Sequence, residues 1–244
     1  LTISEASKGD LVRLYHADPA RIDVAYPAVD ASFRPAAAAD ISRVRRQHAL
    51  DQPYVLHLGT IKPRKNLPRL IRAFARAGLP PETQLALGGM TTYGGEAVEA
   101  AIAATGLEQR VKRLAYVPDA DLPALLSGAE AVAIVSLYEG FGMPALEALA
   151  CGAPLLVSNR GSLPEIAADA AVVVDPLSVE SMARGLERLA GDAALRDRLR
   201  ERGLRRAAQF EWSTAARVTR RALEMAGQPG ADRRVPSRRP SAAS

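Results

Sequence analysis

The apolar residues of this chain fall into short runs separated by longer stretches of helical period. Five runs stand out: "YVLHLG" at 54–59, "TQLALGG" at 83–89, "EAVAIVS" at 130–136, "APLLVS" at 153–158 and "AAVVVD" at 170–175. They are apolar throughout instead of alternating with polar residues, as strands covered on both faces of a parallel sheet must be. Helical segments fill the gaps, as "LPRLIRAFARAG" does after the first run. Strand, helix, strand in repetition predicts an α/β fold built on a doubly wound, Rossmann-like parallel sheet. Two further helical stretches, about 193–208 and 213–226, follow the last run and can wrap the outside of the sheet.

A smaller unit comes first. "LTIS", a polar helix from about Glu5 to Tyr15, and "IDVAYPAVD" make one strand–helix–strand piece, too little to bury its own apolar faces. The chain also opens on a leucine in mid-strand with no initiating methionine. Residues 1–33 are therefore read as the remnant of a truncated upstream domain, 34–52 as a linker and 53–227 as the ligand-binding domain. Residues 228–244, "QPGADRRVPSRRPSAAS", carry too much Pro, Ser and Gly to build a core and read as a disordered basic tail.

Composition narrows the class. With 244 residues, 48% hydrophobic and 24% charged, the chain describes an ordinary soluble protein of one large domain or two small ones. No stretch approaches the roughly 18 apolar residues of a membrane span, and the start lacks the basic-then-apolar layout of a signal peptide. The single cysteine, Cys151, lies in an apolar helix and reads as a small buried hydrophobe, so a reducing cytoplasm is the expected compartment. The formal charge of +5 is concentrated in the tail, whose four arginines face one aspartate. No aromatics interleave with these arginines to stack bases, so no nucleic-acid partner is expected. The tail leaves room for peripheral contact with an anionic membrane surface.

In open α/β sheets ligands lie beyond the carboxyl ends of the strands, so the loops after the runs carry the candidate chemistry. After the first run comes "TIKPRKN", in which Lys62, Arg64 and Lys65 precede a helix opened by Asn66 and Pro68. Cations beside free helix amides suit a doubly charged pyrophosphate. "GGMTTYGG", 88–95, follows a second strand; its glycines serve either backbone geometry or a phosphate. Asp119 and Asp121 stand just before a helix and read as caps, not as a metal pair. His57, in an apolar strand, reads as a packed imidazole. "LYEGFGMPALEALACG", 137–152, turns through Glu139 and enters a helix at Pro144, with Glu147 about one turn inside. Both carboxylates then face one mouth, with the amides of Phe141, Gly142 and Met143 between them.

The segment "YEGFGMPALEALACGAPLLVSNRGSLPEIAADAAVVVDP" closely resembles the donor-binding domain of the retaining GT-B glycosyltransferases, specifically glycosyltransferase family 4, whose Glu-x7-Glu signature is met by Glu139 and Glu147. "HLGTIKPRKNLPRLIRAF" resembles that family's first donor loop, and "ISEASKGDLVRLYHADPARIDVAYPAVD" the end of its N-terminal domain. The resemblance implies a GT-B fold and a nucleotide-sugar donor. Arg64 and Lys65 would hold its diphosphate near Gly59 and Thr60, Glu139 would contact the sugar hydroxyls, and Glu147 would accept from the ribose. The nucleobase would lie near Tyr116 and Val117. Many relatives carry Arg where this chain has Thr60, a place that Arg64 is taken to fill.

The implied activity is a metal-independent hexosyl transfer with retention of configuration to a glycan or lipid-linked acceptor, without cofactor. "TIKPRKN" resembles the mannosyltransferase members, which favours GDP-mannose over UDP-glucose and related donors. A non-catalytic nucleotide-sugar-binding module and a nucleotide-sugar epimerase of GT-B fold are the alternatives.

Overall fold

The computed structural model describes residues 1–227, so the basic tail lies outside the described residues. The apolar runs become strands, and a sixth joins them. These are β1 (Tyr54–Leu58), β2 (Gln84–Gly88), β3 (Val111–Ala115), β4 (Ala131–Ile134), β5 (Leu155–Ser158) and β6 (Ala171–Val174). They pair in parallel in the order β3-β2-β1-β4-β5-β6, the doubly wound arrangement the runs predict. The expected count of five strands missed β3, "VKRLA". It lies at the sheet edge, where Lys112 and Arg113 reach toward solvent, so it shows no continuous apolar run.

Ten helices accompany the strands among the described residues: α1 (Glu5–Tyr15), α2 (Ala38–Gln47), α3 (Leu67–Arg76), α4 (Gly95–Thr105), α5 (Leu122–Ser127), α6 (Met143–Ala150), α7 (Leu163–Ala167), α8 (Val179–Gly191), α9 (Ala193–Ala207) and α10 (Trp212–Gly227). Successive strand residues point to opposite faces and feed two cores. Leu56, Ile134 and Val157 pack with Leu125, Leu146 and Ile166 on one side; Val55, Leu85 and Leu156 pack with Phe74, Ile102 and Leu186 on the other. α3 shows why its sequence is helical: Leu67, Leu70, Ile71 and Phe74 recur at helical spacing and are all buried. Each such burial contributes about 1.5–3 kcal/mol.

Three helices, not two, follow β6. α8 went unread between the strand and the later helices, yet it covers the sheet through Met182, Ala183, Leu186 and Leu189. It approaches closely at Gly185, where an added Cβ would lie 2.5 Å from Leu156 Cδ1 and 2.8 Å from Val174 Cγ1.

Within residues 34–52, α2 buries Val44 and lies against α5. Residues 1–30 do not join the six-stranded sheet. Thr2 and Val24 form a single parallel bridge, and Ile22 and Ala28 are buried. This unit docks on the larger domain through contacts that reach the turn after β4, and leaves Leu1, Ile3, Leu14 and Tyr15 exposed.

Two substitutions in α8 test the packing. Gly191 has nothing within 4 Å of a built Cβ, so Gly191→Ala should be neutral or stabilise by up to about 1 kcal/mol through helix propensity. Gly185→Ala should instead destabilise by about 1–3 kcal/mol by overpacking. Urea denaturation of both variants checks the opposite signs.

Candidate functional site

The strand order reverses between β1 and β4, and the loops after these two strands meet there. Gly59 leaves β1 with φ of 137°, and a Cβ on it would stand 3.2 Å from Lys65 Nζ, so glycine makes room for the ammonium. Ile61 bridges to Thr91, which zips this loop to the glycine-rich one. A 3₁₀ turn over Pro63–Lys65 then delivers Asn66, in the left-handed region, to the start of α3. The Asn66 side chain does not cap that helix. Its Nδ2 donates to Val135 O at 3.2 Å and to Pro176 O at 2.7 Å, tying the loop to the ends of β4 and β6.

This frame brings Arg64, Lys65 and Glu139 together. Lys65 Nζ lies 2.7 Å from Glu139 Oε1 and Arg64 Nη1 lies 2.6 Å from Oε2, while Ser136 Oγ donates to Oε1 at 2.7 Å. The Lys65 and Glu139 side chains are 7% and 8% exposed, whereas Arg64 is 47% exposed. Burial pushes the Glu139 carboxyl up, but hydrogen bonds from Lys65, Arg64 and Ser136 overcome that and hold it below its ordinary range. It is ionised at neutral pH and locked between two cations.

Glu147 is in the opposite state. It stands one turn into α6, half-buried, and its carboxylate accepts no hydrogen bond among the described residues. Burial, and then the charge of Asp119, raise its pKa. Between the two glutamates, the amides of Phe141, Gly142 and Met143 make no backbone hydrogen bond among the described residues, and Gly142 begins the helix. The turn is fixed from below. Ser162 donates its N–H and Oγ to Glu139 O at 3.1 and 2.9 Å, and its Oγ also reaches Phe141 O. A Cβ on Gly161 would meet Glu139 O at 2.5 Å, so only glycine allows this approach.

The remaining predicted residues separate. Thr60 is half-buried beside Gly59; Tyr116 is exposed just after β3, and Val117 is buried in the core. The capping role read for Asp121 is wrong. Its carboxylate accepts from Arg43 at 3.0 Å and Gln47 at 2.9 Å, because α2 supplies a cation that the loop's sequence could not reveal. Asp119 makes no cap bond either, and it lies near Glu147. His57 is fully buried with Nδ1 2.9 Å from Ala133 O, and burial pushes its pKa down to about 4. Burial pushes the Cys151 thiol up to about 12, as expected for a packed residue. Sequence reading missed Ser136 and Ser162; both lie in loops at the carboxyl ends of strands, where position alone would have nominated them. Among the described residues no cluster of three or more His, Cys, Asp or Glu could hold a metal.

Residues 39–206 match the family model described as Glycosyl transferases group 1. The chain belongs to this family. O-antigen chain mannosyltransferase B of Escherichia coli is 34% identical over 230 residues, covering 92% of this chain and 60% of that protein. A D-inositol 3-phosphate glycosyltransferase of Salinispora tropica is 36% identical over 250 residues, covering 95% of this chain and 51% of that protein. The chain thus spans little more than half the length of these relatives. Among solved structures, sucrose-phosphate synthase from Thermosynechococcus elongatus superposes with a TM-score of 0.78 at 25% identity, over 92% of this chain and 57% of that one. HepE of Anabaena, solved with UDP-glucose, gives 0.81 at 24% identity over 92% of this chain and 62% of its own, a likeness of fold. The group 1 domain here is a GT-B one, and among its described residues no helix is long and apolar enough to cross a membrane.

The two glutamates should respond oppositely to neutralisation. Glu139→Gln leaves Lys65 buried without its countercharge and should cost roughly 3 kcal/mol at pH 7. Because the Glu139 pKa is depressed, its contribution exists above the ordinary carboxylate range and disappears as pH falls below it. Glu147→Gln relieves a carboxylate whose pKa is raised, so it should leave stability unchanged or higher at pH 7, with any gain vanishing below about pH 4. Denaturation at both pH values reads this directly; equal losses for the two variants would contradict it.

Proposed function

We propose that this chain binds the nucleotide-sugar donor of a hexosyl transfer, with GDP-mannose favoured and UDP-hexoses second. The observation that carries the reading is the contrast at the mouth of the sheet. Eight residues apart, one glutamate is clamped by two cations and the other is left open, with free amides between them. A donor laid along this line places its ribose hydroxyls on Glu147, its pyrophosphate over Phe141–Met143 and its sugar at Glu139. Arg64, half exposed, is the cation free to turn from Glu139 to a phosphate, while buried Lys65 stays to hold the carboxylate. The mannosyltransferase name of the Escherichia coli relative supports the donor preference, as does "TIKPRKN".

Chemically, breaking the bond between the anomeric carbon and the β-phosphate oxygen builds negative charge on the leaving diphosphate. Arg64 and the amides of Phe141–Met143 stabilise that charge without a metal, while Lys65 keeps Glu139 in place. The acceptor hydroxyl attacks from the face the diphosphate leaves, and the departing phosphate takes its proton, which retains configuration. The acceptor is a glycan or a lipid-linked glycan, reached at the inner face of a membrane, and the whole protein performs the transfer in the cytoplasm.

Calorimetry tests the assignment. Glu139→Ala should weaken binding of the nucleotide sugar more than that of the free nucleoside diphosphate, which offers no sugar hydroxyls. Glu147→Ala should weaken both by tenfold or more, since each loses hydrogen bonds to a charged acceptor worth roughly 1.5–3 kcal/mol. A chelator should change neither affinity, and rising salt should weaken both. Equal losses for Glu139→Ala, or unaltered affinity for Glu147→Ala, would remove these roles. Epimerised sugar nucleotide without acceptor would replace transfer by epimerisation.

A further inference from the structure

Glu165, on α7, takes no part in the donor line proposed above, yet it gathers contacts from distant parts of the chain. Its Oε1 accepts from the amide of Glu5 at 2.8 Å and its Oε2 from that of Ala6 at 3.1 Å, so it caps α1 across 160 residues. The Tyr26 hydroxyl also donates to Oε1, at 2.6 Å. A carboxylate on free amides at a helix start satisfies them and complements the helix dipole.

Held there, α1 grips the turn that carries Glu139 on both sides of that residue. Ser4 Oγ and Ser7 Oγ donate to Gly140 O at 2.5 and 3.1 Å, and Tyr138 donates its hydroxyl to Asp10 at 2.7 Å. Behind the turn, Tyr26, Phe141 and Phe210 form an aromatic triangle with centroids 5.7–6.4 Å apart. Arg206 stacks on Phe210 and donates to Glu165 O at 2.8 Å. Ser162, immediately before α7, holds Glu139 O from the other side.

We infer that Glu165 is a positioning residue: its carboxylate ties α1 to α7 and thereby fixes the Tyr138–Gly140 turn that aims Glu139. This rests on the donor reading of Glu139. Residues 1–30 then act on sugar recognition through backbone placement, without touching the donor.

The readout is the ratio of affinities for a nucleotide sugar and its free nucleoside diphosphate, measured by calorimetry on the full chain with GDP-mannose and GDP, and with UDP-glucose and UDP. Only Glu139 is assigned to the sugar, so Glu165→Ala should lower that ratio about fivefold or more while leaving diphosphate affinity nearly unchanged. Glu165→Gln, which keeps an acceptor oxygen for an amide and the Tyr26 hydroxyl, should restore most of it. The Ser4→Ala, Ser7→Ala double variant, which keeps Glu165 and loses the grip on Gly140, should lower the ratio in the same direction and serves where Glu165→Ala does not fold. An unchanged ratio, or equal loss of both ligands, in the variants that fold would overturn the positioning role while the donor reading stands. Wild-type protein that binds none of the four ligands would overturn the donor reading and the inference with it.

Discussion

A buried carboxylate can stay ionised only where cations and hydrogen-bond donors replace the water it has lost. Glu139 meets that demand at the point where the strand order reverses, and much of the local architecture follows from it. Lys65 must reach it from the loop after β1, so Gly59 leaves space for the ammonium. Ser136 must end β4 with its hydroxyl inward. Ser162 must hold the backbone of the turn so that the side chain keeps its aim. Three strand ends therefore converge on one charged group, which is how a doubly wound sheet turns its reversal point into a binding crevice.

The cluster gains its chemistry from unequal burial. Lys65 is enclosed and remains a fixed countercharge, while Arg64 is half exposed and can exchange one anion for another. Glu147, with its carboxyl pKa raised and no hydrogen-bond partner among the described residues, is a site in want of donors. A ligand carrying hydroxyls at one end and phosphate in the middle matches those unmet needs. α1 adds a second layer of control, because its bonds to Tyr138 and Gly140 bracket Glu139 in the chain.

The sheet was legible in the sequence wherever a strand is apolar along its length. β1, β2, β4, β5 and β6 announce themselves as apolar runs, β6 even though it is an edge strand with Val173 exposed, whereas β3 at the other edge carries Lys112 and Arg113 side by side in its middle. The spacing of Glu139 and Glu147, and the basic loop after β1, were legible because loop–helix junctions obey local rules. The Arg64–Glu139 and Lys65–Glu139 pairs were not, since their partners lie 75 and 74 residues apart. For the same reason Asp121 looked like a cap: the Arg43 that binds it comes from α2, 78 residues away. Glu165 was invisible on the same ground, as its contacts are made by residues near the start of the chain.

A crystal structure of the chain with a bound nucleotide sugar tests the central claim most directly. The account predicts ribose hydroxyls on the Glu147 carboxylate, diphosphate over the amides of Phe141–Met143 with Arg64 turned toward it, and the sugar against Glu139 with the Lys65–Glu139 pair intact. Density for the ligand away from this mouth, such as in the basic groove between α3 and α4 lined by Lys62, Arg69 and Arg72, would contradict it.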